Sequence, residues 1–180
     1  MERQIKIIVT DTTQLTEKVI DFFKQFDIKL TDNKEGNLTF KQNSSLLDAW
    51  KTNPLKWASE IFVSIVDNKV LANFCVDTDA QMKTKEEEAV WQTFIDNFEN
   101  YLTNGKTSNQ KLISTISDNK KSRLTYFGWA IFGAIIGGLL GFVYNKMTGN
   151  NSSLSIFLIP IFATLFLGWK INYVKKKNAL

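Results

Sequence analysis

This sequence predicts an α+β fold: a two-layer soluble head in the order β-α-β-β-β-β-α, then an antiparallel two-helix transmembrane hairpin. Three observations carry that expectation. Apolar residues alternate with period two in several stretches of residues 4–78. The spacing becomes helical at 15–26 and 84–102. Two long uncharged runs follow residue 123. The expected division is a head at 1–105, a basic juxtamembrane linker at 106–123, a two-span hairpin at 124–174 and a basic tail at 175–180.

The first strand is QIKIIVT, residues 4–10, rich in β-branched side chains. Asp11 is placed to cap the next helix, with Gln14 three residues on, and Leu15, Val19, Phe22, Phe23 and Phe26 form its apolar stripe. DIKLTDNKEGNLTFKQ then predicts a hairpin in which Ile28 and Leu30 share a face with Leu38 and Phe40. Residues 44–56 form a connection containing Asn53-Pro54, a pair that discourages helix. A second hairpin follows, with strands at about 58–67 and 70–78. Thr84 and Glu87 form a capping box for a helix to Leu102, ended by Asn104-Gly105. The resulting order is similar in topology to the TBP-like arrangement, and topology assigns no function.

The helices are expected to cover Ile61, Val63, Ile65, Val70, Ala72, Phe74 and Val76. That leaves Phe62, Val66, Leu71 and Cys75 on the opposite side of the sheet, a candidate partner or ligand surface. The alternative is cover by the 44–56 connection, through Leu46, Leu47, Trp50 or Trp57.

Between Arg123 and Lys146 lie 22 uncharged residues, and between Lys146 and Lys170 lie 23. Tyr126 to Tyr144 is long enough for a ~30 Å hydrocarbon core, which takes roughly 20 helical residues. Leu154 to Trp169 is shorter, and flanking residues can extend it to the interfaces. Lys120, Lys121 and Arg123 precede the first span and Lys170, Lys175, Lys176 and Lys177 close the second, while the connecting loop holds only Lys146. Positive residues stay inside, so both termini are expected on the cytoplasmic side of the inner membrane, with Trp129 and Trp169 at one interface.

Gly133, Gly137 and Gly141 recur at every fourth position of the first span, widened by Ala134 and Gly138. Pro160, Thr164 and Gly168 repeat the spacing in the second. In lipid, small residues let helix backbones approach closely. This face either seats the second span on the first or docks another subunit. Neither span holds an ionisable group, which argues against transport by this chain alone.

Charge location excludes nucleic acid. Residues 1–105 carry 12 Lys/Arg against 17 Asp/Glu, whereas residues 106–180 carry 10 against one, so the net +4 belongs to the membrane flanks. The N-terminal stretch has no apolar core of signal-peptide length. A lone cysteine fits a reducing compartment. With no histidine, Cys75 lacks its usual activating base. Asp77, Asp79, Gln81 and Glu88 match calcium-loop positions, but Met82 stands where the turn needs glycine. The span glycines lack the order and polar context of a nucleotide loop. In the segment 106–123, Leu112, Ile113 and Ile116 make a weak apolar stripe, consistent with a surface-lying helix or a solvated linker.

The functional expectation is a membrane-anchored cytoplasmic interaction or accessory-subunit module, without catalytic activity, cofactor or metal. Its partners would be the lipid bilayer and another membrane protein or a second copy. The alternative is a small-ligand or lipid-binding head on the same anchor.

Overall fold

A computed structural model of the chain describes every residue except 35, 44–51, 79–83, 150–153 and 178–180, and the backbone alone of 154–155 and 175–177. Two compact units divide it, Met1–Lys120 and Lys121–Leu180.

The first unit contains β1 (Glu2–Ile8), α1 (Leu15–Lys24), β2 (Lys29–Lys34), β3 (Asn37–Gln42), a 3-10 turn (Pro54–Lys56), β4 (Ser59–Val66), β5 (Lys69–Val76) and α2 (Lys85–Asn104). The strands form one antiparallel sheet in the order β1-β5-β4-β3-β2. The chain thus returns from β5 to sit beside its own first strand. Two further helices follow, α3 (Asn109–Thr148) and α4 (Leu154–Lys177).

Periodicity explains the core. The α1 stripe buries Leu15, Val19, Phe22 and Phe23, and α2 buries Val90, Trp91, Phe94, Ile95, Phe98 and Leu102. Both meet the sheet face of Ile7, Leu38, Phe40, Ile61, Val63, Val70, Ala72 and Phe74 in one apolar cluster. Phe23 lies at its centre, with its ring 4.4 Å from Phe40 and 5.0 Å from Phe98. Such aromatic pairs contribute about 0.5–1.5 kcal/mol beyond their buried area.

The structure refines four local expectations. Helix α1 begins at Leu15 after Gln14 in the left-handed region, and Asp11 instead accepts the Thr13 N–H at 2.9 Å. The two-residue span from Asp11 to Thr13 is an Asx-type turn that delays the helix. Leu30 stands opposite Phe40 on the expected face, yet it is exposed, because β2 is the outermost strand and shifts register between Leu30 and Asp32. Trp57 is buried in the helix-side core and does not cover the opposite sheet face; Leu46, Leu47 and Trp50 lie outside the described residues. Of the two readings of the basic segment, residues 109–120 take the helical one, with its stripe set on the head: Leu112 joins the head's core, Ile116 packs against it, and Asn119 Nδ2 donates to the Thr52 carbonyl at 2.9 Å. The polar caps at Asn97 and Ser108 support this, with the Ser108 N–H donating to Asn97 Oδ1 at 3.2 Å.

At the far end of α2, Gly105 takes φ 64° and its N–H donates to the Tyr101 carbonyl at 3.0 Å. A side chain there would sit in the left-handed region, which explains glycine at this stop.

In the second unit, α3 and α4 are two helices long and apolar enough to cross a membrane. They pack antiparallel in a constant four-residue step. Trp129 stacks with Phe166, Gly133 lies against Phe162, and Gly137 lies against Leu158.

Candidate functional site

The sheet face turned away from the helices is built by strand register. Its rows run Glu2–Cys75–Glu60–Lys41, then Gln4–Asn73–Phe62–Thr39, then Lys6–Leu71–Ser64–Asn37, and last Ile8–Lys69–Val66. Three apolar side chains on it are substantially open: Phe62 at 43%, Val66 at 57% and Leu71 at 39%. Ile8, at 61%, extends this group on the edge strand. The sequence reading missed Ile8, although the alternation Gln4, Lys6, Ile8 against Ile5, Ile7, Val9 places it there. No described residue covers these four side chains to the point of burial.

Charge gathers at one end of the face. Lys41 Nζ meets Glu60 Oε1 at 2.7 Å, and Asn73 Nδ2 donates to Glu2 Oε1 at 3.1 Å. Cys75 sits in register between Glu2 and Glu60 and is half-buried. Burial first, and then these two carboxylates, push its thiol pKa up. It is therefore a poor nucleophile. An open groove of about 540 Å³ begins there, lined by Glu2, Lys41, Ser59, Glu60 and Cys75 among others. Phe62, Val66 and Leu71 do not line it.

A second hollow of about 250 Å³ lies between Trp57, Trp91 and the start of α2. The Thr84 N–H donates to Glu87 Oε2 at 2.6 Å beside it, so the carboxylate serves to cap the helix. Among the described residues, no group of three or more His, Cys, Asp or Glu side chains could hold a metal ion. Asp79, Gln81 and Met82 of the calcium-like spacing lie outside the described residues.

In the hairpin the glycines mark close backbone contact. A methyl at Gly133 would fall on the Phe162 carbonyl oxygen and 2.9 Å from its carbon; one at Gly137 would stand 2.5 Å from the Leu158 oxygen. Gly138 has room, with Ile159 Cγ1 at 3.8 Å from the same position. Gly141 is buried and Ala134 half-buried. The seam on α4 therefore follows Leu158, Phe162 and Phe166. Thr164 and Gly168, expected on this face, are off it: nothing lies within 4 Å of a methyl at Gly168. Thr164 is exposed and donates to the Pro160 and Ile161 carbonyls. The reason is angular. Thr164 lies two residues from Phe162, about 200° around a helix with 3.6 residues per turn.

Aromatic and basic residues gather at one end of this hairpin. The Trp129 and Trp169 rings are 5.4 Å apart, and Lys170 Nζ lies 5.6 Å from the Trp129 ring and 5.4 Å from the Tyr173 ring. Lys120 and Lys121 are exposed and Arg123 is half-buried on α3; the backbone of Lys175, Lys176 and Lys177 continues α4.

No protein-family model, no curated protein and no solved structure matches this chain.

Proposed function

We propose that the chain is a membrane-anchored interaction module. Its α3 and α4 cross the inner membrane as a hairpin, both termini lie on the cytoplasmic side, and the head offers its open sheet face to a protein partner. The observation that carries this reading is where the hairpin buries surface. Between Lys121 and Thr148 the buried residues are Tyr126, Gly133, Gly137 and Gly141, and on α4 none of residues 156–174 is buried. Phe127, Phe132, Ile135, Leu139, Phe142, Ile156 and Phe157 are all at least half exposed. Burying such side chains is worth about 1.5–3 kcal/mol each, so water is the wrong solvent for this pair. A helix apolar all round belongs in a protein core or in lipid. The exposure of these apolar side chains supports lipid as their environment.

Orientation rests on the basic flanks at Lys120–Arg123 and Lys170–Lys177 against the single Lys146 between the spans. The partner-binding role rests on Phe62, Val66 and Leu71, which stand exposed on one sheet face and line neither hollow described above, as suits an apolar contact with a macromolecule.

Alkaline extraction and detergent partitioning test the anchor; a full-length chain that stays folded and dispersed without surfactant overturns it. Labelling of cysteines placed between α3 and α4 and at the C-terminus tests orientation. Copurification in mild detergent, compared between the native chain and Phe62→Ser/Leu71→Ser, tests the face. A chain that always elutes alone removes the interaction role.

A further inference from the structure

The two edges of the sheet are built differently. The β2 edge is broken by a register shift and carries Lys29, Asp32 and Lys34, features that discourage pairing with another strand. The β1 edge also carries charge, at Glu2, Arg3 and Lys6, but it has no such break. Its seven residues pair with β5 in unbroken register from Glu2 to Ile8, without proline, and among the described residues no strand pairs with its other side.

Parity shows what this edge offers. The Met1 amine donates to the Val76 carbonyl and the Val76 N–H to the Met1 carbonyl, while the Val9 N–H donates to the Asn68 carbonyl. Bonded pairs alternate along an antiparallel ladder. Odd-numbered residues of β1 therefore bond inward to β5. The N–H and C=O groups of Glu2, Gln4, Lys6 and Ile8 point outward.

The geometry points to self-association: two copies of this chain join β1 to β1 in antiparallel register about a two-fold axis through Gln4, making one continuous sheet. Charge selects the register. With Gln4 opposite Gln4 of the second copy, Glu2 faces Lys6 and Lys6 faces Glu2 across the seam, all with outward backbone groups. Moving the axis to Ile5 sets Glu2 against Ile8 and Gln4 against Lys6, which loses both charge pairs; moving it to Lys6 opposes two lysines. An isologous contact of this kind closes as a dimer and leaves the protected β2 edges outermost. It stands apart from the membrane reading, since every residue it uses lies in Met1–Lys120.

The test uses the full-length chain in mild detergent with Cys75→Ser as background. Gln4→Cys should form a disulfide-linked dimer on mild oxidation, because facing Cα atoms at a bonded pair lie about 5.5 Å apart, within disulfide reach. Lys6→Cys should not, because its counterpart is displaced by four residues, about 13 Å along the strand. Glu2→Lys and Lys6→Glu should each weaken the dimer by roughly tenfold, and the double exchange should restore it. Gln4→Pro should abolish the dimer while the thermal melt holds, since the lost N–H points away from β5. A monomer at all concentrations, equal cross-linking at positions 4 and 6, or capture of a different protein through Gln4→Cys each overturns the proposal. All three leave the membrane assignment standing.

Discussion

Gly137 of α3 lies so close to the Leu158 carbonyl of α4 that a methyl group there would stand 2.5 Å from the oxygen and 3.1 Å from the Ile159 Cα. The neighbours are backbone, which cannot rotate away, so any side chain must push the helices apart. Gly133→Ala and Gly137→Ala should therefore each destabilise the hairpin by about 1–3 kcal/mol, the usual cost of overpacking. Gly168→Ala meets nothing within 4 Å and should be neutral or slightly stabilising, since alanine is the better helix former. Unfolding of the full-length chain in detergent, followed through Trp129 and Trp169, separates the two outcomes. Equal effects at Gly137 and Gly168 would contradict the seam.

In the head, opposite faces of the same sheet should respond in opposite ways. Phe23 is fully buried among Phe40, Phe74 and Phe98, so Phe23→Ala should cost about 3–5 kcal/mol. Phe62 is 43% exposed on the open face, and Phe62→Ser should change stability by no more than about 0.5 kcal/mol. Urea melts of both variants check the contrast. A large loss at Phe62 would mean that this face is covered.

These contrasts also show where sequence is informative. Phe23 and Phe74 were legible as core because period 3.6 on α1 and period 2 on β5 are local signals. The pairing of β1 with β5 was not legible: it joins Glu2 to Cys75, and no local pattern encodes a contact across that separation. The outer patch was found at Phe62, Val66 and Leu71 but not at Ile8, whose face the alternation of β1 gives but whose place in the row with Lys69 and Val66 needs that pairing. The glycine repeat pointed to close packing, yet choosing Phe162 and Leu158 over Thr164 required knowing how α4 is rotated. Leu112 hid inside a basic segment because its partners lie in the head's core rather than nearby in sequence.

Acid should act on two exposed aspartates in a predictable direction. Asp11 accepts from Lys18 Nζ at 2.7 Å and from the Thr13 N–H; Asp27 accepts from Lys56 Nζ at 2.6 Å. The lysine bonds are the largest cause in each case, and both carboxyls are held below the ordinary aspartate range of about 3.9. A lowered folded pKa gives stability that is present above the unfolded value and lost as pH falls through the folded one. Both contributions should stay constant from pH 8 to 5 and fade only below about pH 4. Carboxyl titration by NMR should show depressed midpoints, and Lys56→Ala should return Asp27 toward the ordinary value without moving Asp11.

Cys75 offers a test of the register itself, because its chemistry depends on residues that only strand pairing brings together. Glu2 of β1 and Glu60 of β4 flank it in one row, and with partial burial they raise its thiol pKa. The thiolate is the reactive form, so alkylation near pH 8 should be markedly slower than for a free thiol of ordinary pKa. Glu2→Gln and Glu60→Gln should each accelerate it, and the double variant more so. Burial is the larger cause and survives both changes, so the double variant should still react more slowly than a small free thiol. Denaturant should then remove the remaining protection. Acceleration by Glu60→Gln but not by Glu2→Gln would place β1 elsewhere than beside β5, and the edge proposed for self-pairing would go with it.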